Sequence, residues 1–71
     1  MEDINKEIAA NMRAARAKAH MSQEELATSV GVSLGSIWAY ENADAKVPFS
    51  TACAIAKVLN VSPDKLAGFT D

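Results

Sequence analysis

The sequence predicts an all-α fold of five short helices. Apolar residues recur at helical spacing along most of the chain, and serine, glycine, asparagine and proline stand where helices would begin and end. The chain has 71 residues, of which 49% are hydrophobic and only three are glycine and two are proline. A chain of this length suffices for one small core, so we expect residues 1–71 to form a single domain.

An apolar stripe predicts the first helix. Apolar side chains recur every three or four positions over residues 4–19, at Ile4, Ile8, Met12, Ala15 and Ala19.

A capping box predicts the start of the second helix, because Ser22 and Glu25 have the spacing that satisfies free amides at a helix N-terminus. Gly31 is expected to end that helix in the left-handed conformation. Its inward side chains would be Leu26, Ala27 and Val30.

The third helix is predicted to begin after Ser33, which can cap it, and to bury Ile37 and Tyr40. The loop NADAKVP follows.

The fourth helix is expected roughly from Ser50 to Leu59, with Asn60 closing it. Ser62 and Pro63 would open a last helix that runs through Leu66 and ends at Gly68. The inward side chains of the fourth helix would be Ala52, Ile55, Ala56 and Leu59.

Residues 22–41 contain two helices joined by a short turn around Gly31, which is the arrangement of a helix-turn-helix unit. Ala27 fits this geometry, because two helices cross closely only where a small side chain lies between them.

The composition excludes several classes of function. A net charge of −2 and a pI near 5.2 argue against a promiscuous nucleic-acid binder. The single Cys53 excludes an internal disulfide and a cysteine-based zinc site, and His20 has no second ligand nearby, so we expect no metal and no cofactor. No catalytic constellation is present, so we do not expect an enzyme. The absence of a signal peptide and of any run long enough to span a membrane predicts a cytoplasmic protein.

The segment SQEELATSVGVSLGSIWAYEN resembles the Cro/CI-type helix-turn-helix family of phage and bacterial repressors, also called the xenobiotic-response-element family. Within it, the matching residues are Ser22-Gln23, Glu25-Leu26-Ala27, Gly31-Val32-Ser33, Ile37 and Glu41-Asn42. Outside it, Arg16, Pro48 and the segment IAKVLNVSPDKL also match, so the resemblance covers about residues 8–66. It implies a compact, lambda-repressor-like domain that inserts its third helix into the major groove of DNA.

The resemblance also implies roles for single residues. Ser22 and Gln23 would meet phosphates from the start of the second helix, and Asn42 and Lys46 would do so from the loop after the third. Arg16 and Glu41 would form a buried or half-buried ion pair between the first and third helices. The residues at base-contacting positions are Leu34, Gly35, Ser36, Trp38 and Ala39, and we count Ser33, at the start of the same helix, with them.

Two positions depart from the family pattern. Ala43 stands where the family usually has glycine, so Asn42 is expected to take the left-handed conformation instead. The loop that follows carries Asp44 with only Lys46 to offset it, which predicts weaker phosphate binding.

Trp38 is placed by the sequence either at the edge of the core or exposed at an interface.

The main hypothesis is a sequence-specific regulator of transcription that binds double-stranded DNA, of the phage or bacterial repressor type. Specificity would need a homodimer on a pseudo-palindromic site, paired through the fourth and fifth helices, or else this chain is the DNA-binding part of a longer regulator. The alternative is a protein-interaction module, antitoxin-like or anti-regulator, with weak or no DNA binding. The acidic pI and a partner surface at Leu34 and Trp38 favour that alternative.

Overall fold

Five helices make up the part of the chain that the computed structural model describes, residues 3–68, and no strand occurs within it. The helices are α1 (Ile4–Lys18), α2 (Gln23–Val30), α3 (Leu34–Glu41), α4 (Phe49–Leu59) and α5 (Pro63–Leu66). The predicted all-α class is therefore confirmed.

Two helix boundaries differ from the prediction by one residue. α1 ends at Lys18, because Ala19 only caps it and His20 turns the chain with a φ of 57°. α4 begins at Phe49 rather than Ser50, because the carbonyl of Pro48 already accepts the N–H of Ala52 at 2.8 Å.

Serine side chains start three of the helices, as predicted. The Oγ of Ser22 accepts the N–H of Glu25 at 3.0 Å, and the carboxylate of Glu25 accepts the N–H of Ser22 at 3.0 Å. These two hydrogen bonds complete the capping box, and they lower the pKa of the Glu25 carboxyl because they favour its charged form. Ser33 and Ser62 cap α3 and α5 in the same way.

A left-handed residue follows each of these five helices. The five residues are His20 (φ 57°), Gly31 (87°), Ala43 (58°), Asn60 (59°) and Gly68 (83°). The prediction for Asn42 is wrong, since its φ is −105° and its side-chain amide donates to the carbonyl of Trp38 at 2.7 Å. Asn42 thus caps α3 without a left-handed conformation, and Ala43, at the position where the family usually has glycine, adopts that conformation instead. A β-carbon in this conformation costs roughly 1–2 kcal/mol.

The core lies where α1, α2, α3 and α4 meet. Met12, Leu26, Ile37 and Ile55 have no exposed surface, and full burial of such a side chain contributes about 1.5–3 kcal/mol. The predicted stripe of α1 is wrong at its ends: Ile4 is 44% exposed and Ala19 is exposed, because both lie beyond the part of α1 that packs on the core. The remaining buried apolar residues are Ala9, Ala27, Ala56, Leu59 and Leu66.

The strain at Ala43 can be tested directly. Ala43→Gly should raise the free energy of unfolding by about 0.5–1 kcal/mol, because glycine adopts this φ without a steric penalty. Urea denaturation followed by circular dichroism measures the change. Ala45→Gly, in the same loop but without a positive φ, is the matched control and should slightly lower stability. Equal effects of the two substitutions would contradict the assignment of strain to Ala43.

Candidate functional site

The third helix is anchored at its first turn by two serines. The Oγ of Ser33 accepts the backbone N–H of Ser36 at 3.1 Å, and the two hydroxyl oxygens lie 2.9 Å apart. Ser36 is half-buried and its hydroxyl is shared with Ser33. The start of α3 is thus held in a defined orientation by its own side chains.

The outer face of α3 is apolar. Leu34 and Trp38, one helical turn apart, are 48% and 53% exposed, while Ala39 between this face and the core is half-buried. Of the two placements the sequence allowed for Trp38, the structure has the exposed one. Two large apolar side chains side by side in solvent are typical of a surface that binds something.

Few hydrogen-bond donors accompany these apolar groups. Residues 34–41 contain no lysine, arginine, histidine, asparagine or glutamine. Asn42, just after the helix, uses its side-chain amide on the carbonyl of Trp38. The hydroxyl of Ser36 and the indole N–H of Trp38 are therefore the main polar groups that α3 can offer to a ligand.

Gly35 leaves an opening in this face. A β-carbon built on Gly35 would meet only the Oγ of Ser33, at 3.9 Å, which is ordinary contact. The fold itself therefore does not require glycine here, since its φ is not in the left-handed region and the space is free.

An ion pair ties α3 to the first helix. Arg16 donates from Nε to Oε2 of Glu41 at 2.7 Å and from Nη2 to Oε1 at 3.0 Å, and Nη1 donates to the carbonyl of Met21 at 2.9 Å. Glu41 is 1% exposed and is the only buried charged residue of those described. The hydrogen bonds with Glu41 raise the pKa of Arg16 further above its ordinary value. The pair holds the end of α3 against α1.

Two more residues bond to Glu41, and neither contact was predicted from the sequence. Gln23 donates from Nε2 to Oε1 of Glu41 at 3.1 Å, although the resemblance implied that it faces phosphate. Arg13 donates from Nη1 to the backbone carbonyl of Glu41. The i, i+3 spacing of Arg13 and Arg16 could have indicated a shared partner, because it places both guanidinium groups on one side of α1.

The loop after α3 carries the other residues expected at phosphates. Lys46 and Asp44 are both exposed, and the N–H of Asp44 donates to the carbonyl of Ala39 at 2.9 Å. Ser22 is exposed at the start of α2, with its hydroxyl used in the capping box. The cationic charge near the α3 face is therefore sparse.

Residues 3–68 show neither a cluster of metal-ligating side chains nor a membrane-spanning helix. They contain no group of three or more His, Cys, Asp or Glu side chains able to hold a metal ion. None of their helices has both the length and the apolar character to cross a membrane. His20 is exposed at the end of α1, and Cys53 is a half-buried free thiol.

Known proteins share the helix-turn-helix arrangement of this chain. A helix-turn-helix family model matches residues 12–66. A similar solved structure is the crystal structure of the hypothetical transcription factor NHTF from Neisseria, with a TM-score of 0.88 and 31% sequence identity. The match covers 92% of this chain and 75% of that one. No curated protein sequence matches the chain.

Glu41→Ala tests the ion pair. It should lower the free energy of unfolding by about 3–5 kcal/mol, because it leaves the guanidinium of Arg16 partly buried without its partner. Urea denaturation measures the loss, and Glu24→Ala, an exposed glutamate of α2, is the control. The double variant Arg16→Met/Glu41→Leu should recover much of the stability, since it leaves no uncompensated charge. An unchanged midpoint for Glu41→Ala would contradict the role given to the pair.

Proposed function

Because the chain belongs to the Cro/CI-type helix-turn-helix family, we propose that it is a transcriptional regulator that binds double-stranded DNA sequence-specifically with α3 in the major groove. The observation that carries this proposal is the outer face of α3, a helix anchored at both ends whose Leu34 and Trp38 stand in solvent.

The chemistry of the face indicates how bases are recognised. Leu34 and Ala39 have no side-chain group that can hydrogen-bond to a base, and Trp38 has only its indole N–H, but apolar side chains pack on thymine methyl groups. The hydroxyls of the helix are those of Ser36 and Tyr40, both half-buried, and we assign Ser36 to the base edge because it lies in the first turn beside Leu34. Specificity would therefore depend on methyl contacts and on the shape of the duplex more than on bidentate hydrogen bonds.

Phosphate contacts are proposed for four residues at the two ends of the unit: Ser22, Gln23, Asn42 and Lys46. Gln23 lies at the start of α2, where anions are favoured, but its amide nitrogen is already bonded to Glu41. To contact a phosphate, the Gln23 side chain would have to adopt a different rotamer. Otherwise the phosphate would accept hydrogen bonds from backbone N–H groups of the first turn of α2.

A single unit contacts only a short stretch of DNA, so we extend the proposal to a homodimer on a pseudo-palindrome with half-sites about one helical turn apart. The resemblance to phage and bacterial repressors supports repression as the mode of action.

A second candidate function has one specific observation in its favour. The exposed pair Leu34 and Trp38 would also suit a protein partner, since aromatic side chains dominate the energetics of protein interfaces. In that case the chain would be an antitoxin-like or anti-regulator module with weak DNA binding.

Selection from random duplexes at low salt, followed by sequencing, tests the proposed function. We expect a pseudo-palindromic site to be enriched, with A·T pairs where the methyl groups face α3. Trp38 is the only tryptophan, so its fluorescence reports on this face alone. Emission of the free protein should be at long wavelength and readily quenched by acrylamide, and the selected duplex should protect the ring.

A scrambled duplex of the same length is the control and should protect Trp38 much less at the same salt concentration. Enrichment of no sequence, together with protection of Trp38 by a protein instead of by DNA, would favour the second candidate.

Gly35→Ala separates a role in the fold from a role in binding. The substitution should raise the free energy of unfolding by up to about 1 kcal/mol, because alanine is the better helix former and the space is free. It should lower affinity for the selected duplex by about tenfold, roughly 1.4 kcal/mol, if the backbone at Gly35 approaches the DNA closely. Thr28→Ala, exposed on α2, is the control: it should stabilise the helix without changing affinity. Unchanged affinity of Gly35→Ala would place this edge of α3 away from the DNA.

A further inference from the structure

A groove separate from the α3 face runs along the C-terminal half of α1. Its floor is formed by small and aliphatic side chains, with Ala14 and Ala15 on one side and Val61 and Leu66 on the other. The groove has a volume of about 170 Å³. This is comparable with a cavity of roughly 150 Å³ that holds a benzene molecule in another protein. An adjoining depression shares Ala15 and Val61 and extends the apolar surface along the end of α4, over Val58 and Leu59.

Lys18 and Lys65 line both depressions, and both side chains are exposed. Within residues 3–68 the only ion pair joins Arg16 to Glu41, so neither ammonium group is ion-paired with a described carboxylate. No acidic residue lines either depression. A chain with a net charge of −2 therefore has, at this place, a local positive edge around an apolar floor.

Asn11, the other polar residue that lines this groove, uses its side-chain amide nitrogen on the backbone. Asn11 donates from Nδ2 to the carbonyl of Leu66 at 2.8 Å and to that of Lys65 at 3.5 Å. What the groove offers a ligand is thus apolar contact and two cations. A nucleic-acid backbone would use the cations but would gain nothing from the floor, whereas an aliphatic side chain flanked by carboxylates would use both.

We infer that this groove docks a partner protein through a short acidic segment, with an aliphatic side chain on Ala14, Ala15 and Val61 and carboxylates at Lys18 and Lys65. The lining residues belong to α1, α4, α5 and the turn between α4 and α5, and none belongs to α2 or α3. The partner and a ligand on the α3 face can therefore bind at the same time. The inference does not depend on what the α3 face binds.

The probe for the test is a short helical peptide of leucine, alanine and glutamate, and its counterpart has lysine in place of every glutamate. Backbone amide chemical shifts of the ¹⁵N-labelled full chain are followed during titration with each peptide. We expect the acidic peptide to shift the amides of Ala15, Val61 and Leu66, with an affinity that falls as salt is added, and the basic peptide to shift none of them.

The double variant Lys18→Glu/Lys65→Glu should weaken binding of the acidic peptide by about tenfold or more, because two attractions become repulsions. Lys57→Glu is the matched control, since Lys57 lies in the last turn of α4 as Lys18 does in α1 but lines neither depression. Ala14→Trp, at an exposed position, should block the groove without disturbing the core.

Four results would overturn the inference. They are equal binding of the two peptides, peptide shifts confined to α3, shifts of the groove amides by a DNA duplex, and shifts of the groove amides that grow with protein concentration alone. The last would assign the groove to a second copy of this chain. A failure of DNA selection would leave the peptide result unaffected, so the two proposals fail separately.

Discussion

The carboxylate of Glu41 is the point on which the orientation of α3 depends. It is almost fully removed from solvent and accepts hydrogen bonds from Arg16 of α1 and Gln23 of α2, while the carbonyl of the same residue accepts one from Arg13. A charge in this environment is tolerated only when donors replace the water it has lost. The donors come from two other helices, so the arrangement of α1, α2 and α3 is coupled to the satisfaction of one charged group. Apolar packing of Leu26 and Ile37 alone would fix the helices less specifically, because the hydrophobic effect is non-directional and hydrogen bonds are directional.

The same network connects the fold to the proposed interface. Gln23 occupies the position from which a phosphate would be met, yet its amide completes the shell of Glu41. Any ligand that draws Gln23 outward removes one donor from a buried carboxylate. Ligand binding at the start of α2 and the stability of the domain are therefore linked through the side chain of Gln23.

Local signals in the sequence predicted most of this structure. Ser22, Ser33 and Ser62 cap helices through bonds to residues three positions ahead, so their spacing is visible in the chain itself. The burial of Met12 and Ile37 follows from helical periodicity in the same way. The position of the left-handed turn after α3 was predicted wrongly, because the side chain of Asn42 binds back to Trp38 and a propensity cannot show that contact. The role of Gln23 was missed for a similar reason: its partner lies 18 residues away along the chain. The helix that carries the candidate site could thus be predicted from the sequence, but the hydrogen-bond partners of its side chains could not.

The scarcity of cations around the outer face of α3 has a thermodynamic consequence. A complex formed through Leu34 and Trp38 buries apolar surface, which gives a negative change in heat capacity. Few lysines or arginines near the face would displace counterions from the duplex, so the logarithm of the affinity would fall only shallowly with the logarithm of salt concentration. For most proteins that bind duplexes, ionic strength is the dominant control on affinity. For a complex formed through this face, the affinity would respond less to ionic strength, and the enthalpy of binding would vary with temperature.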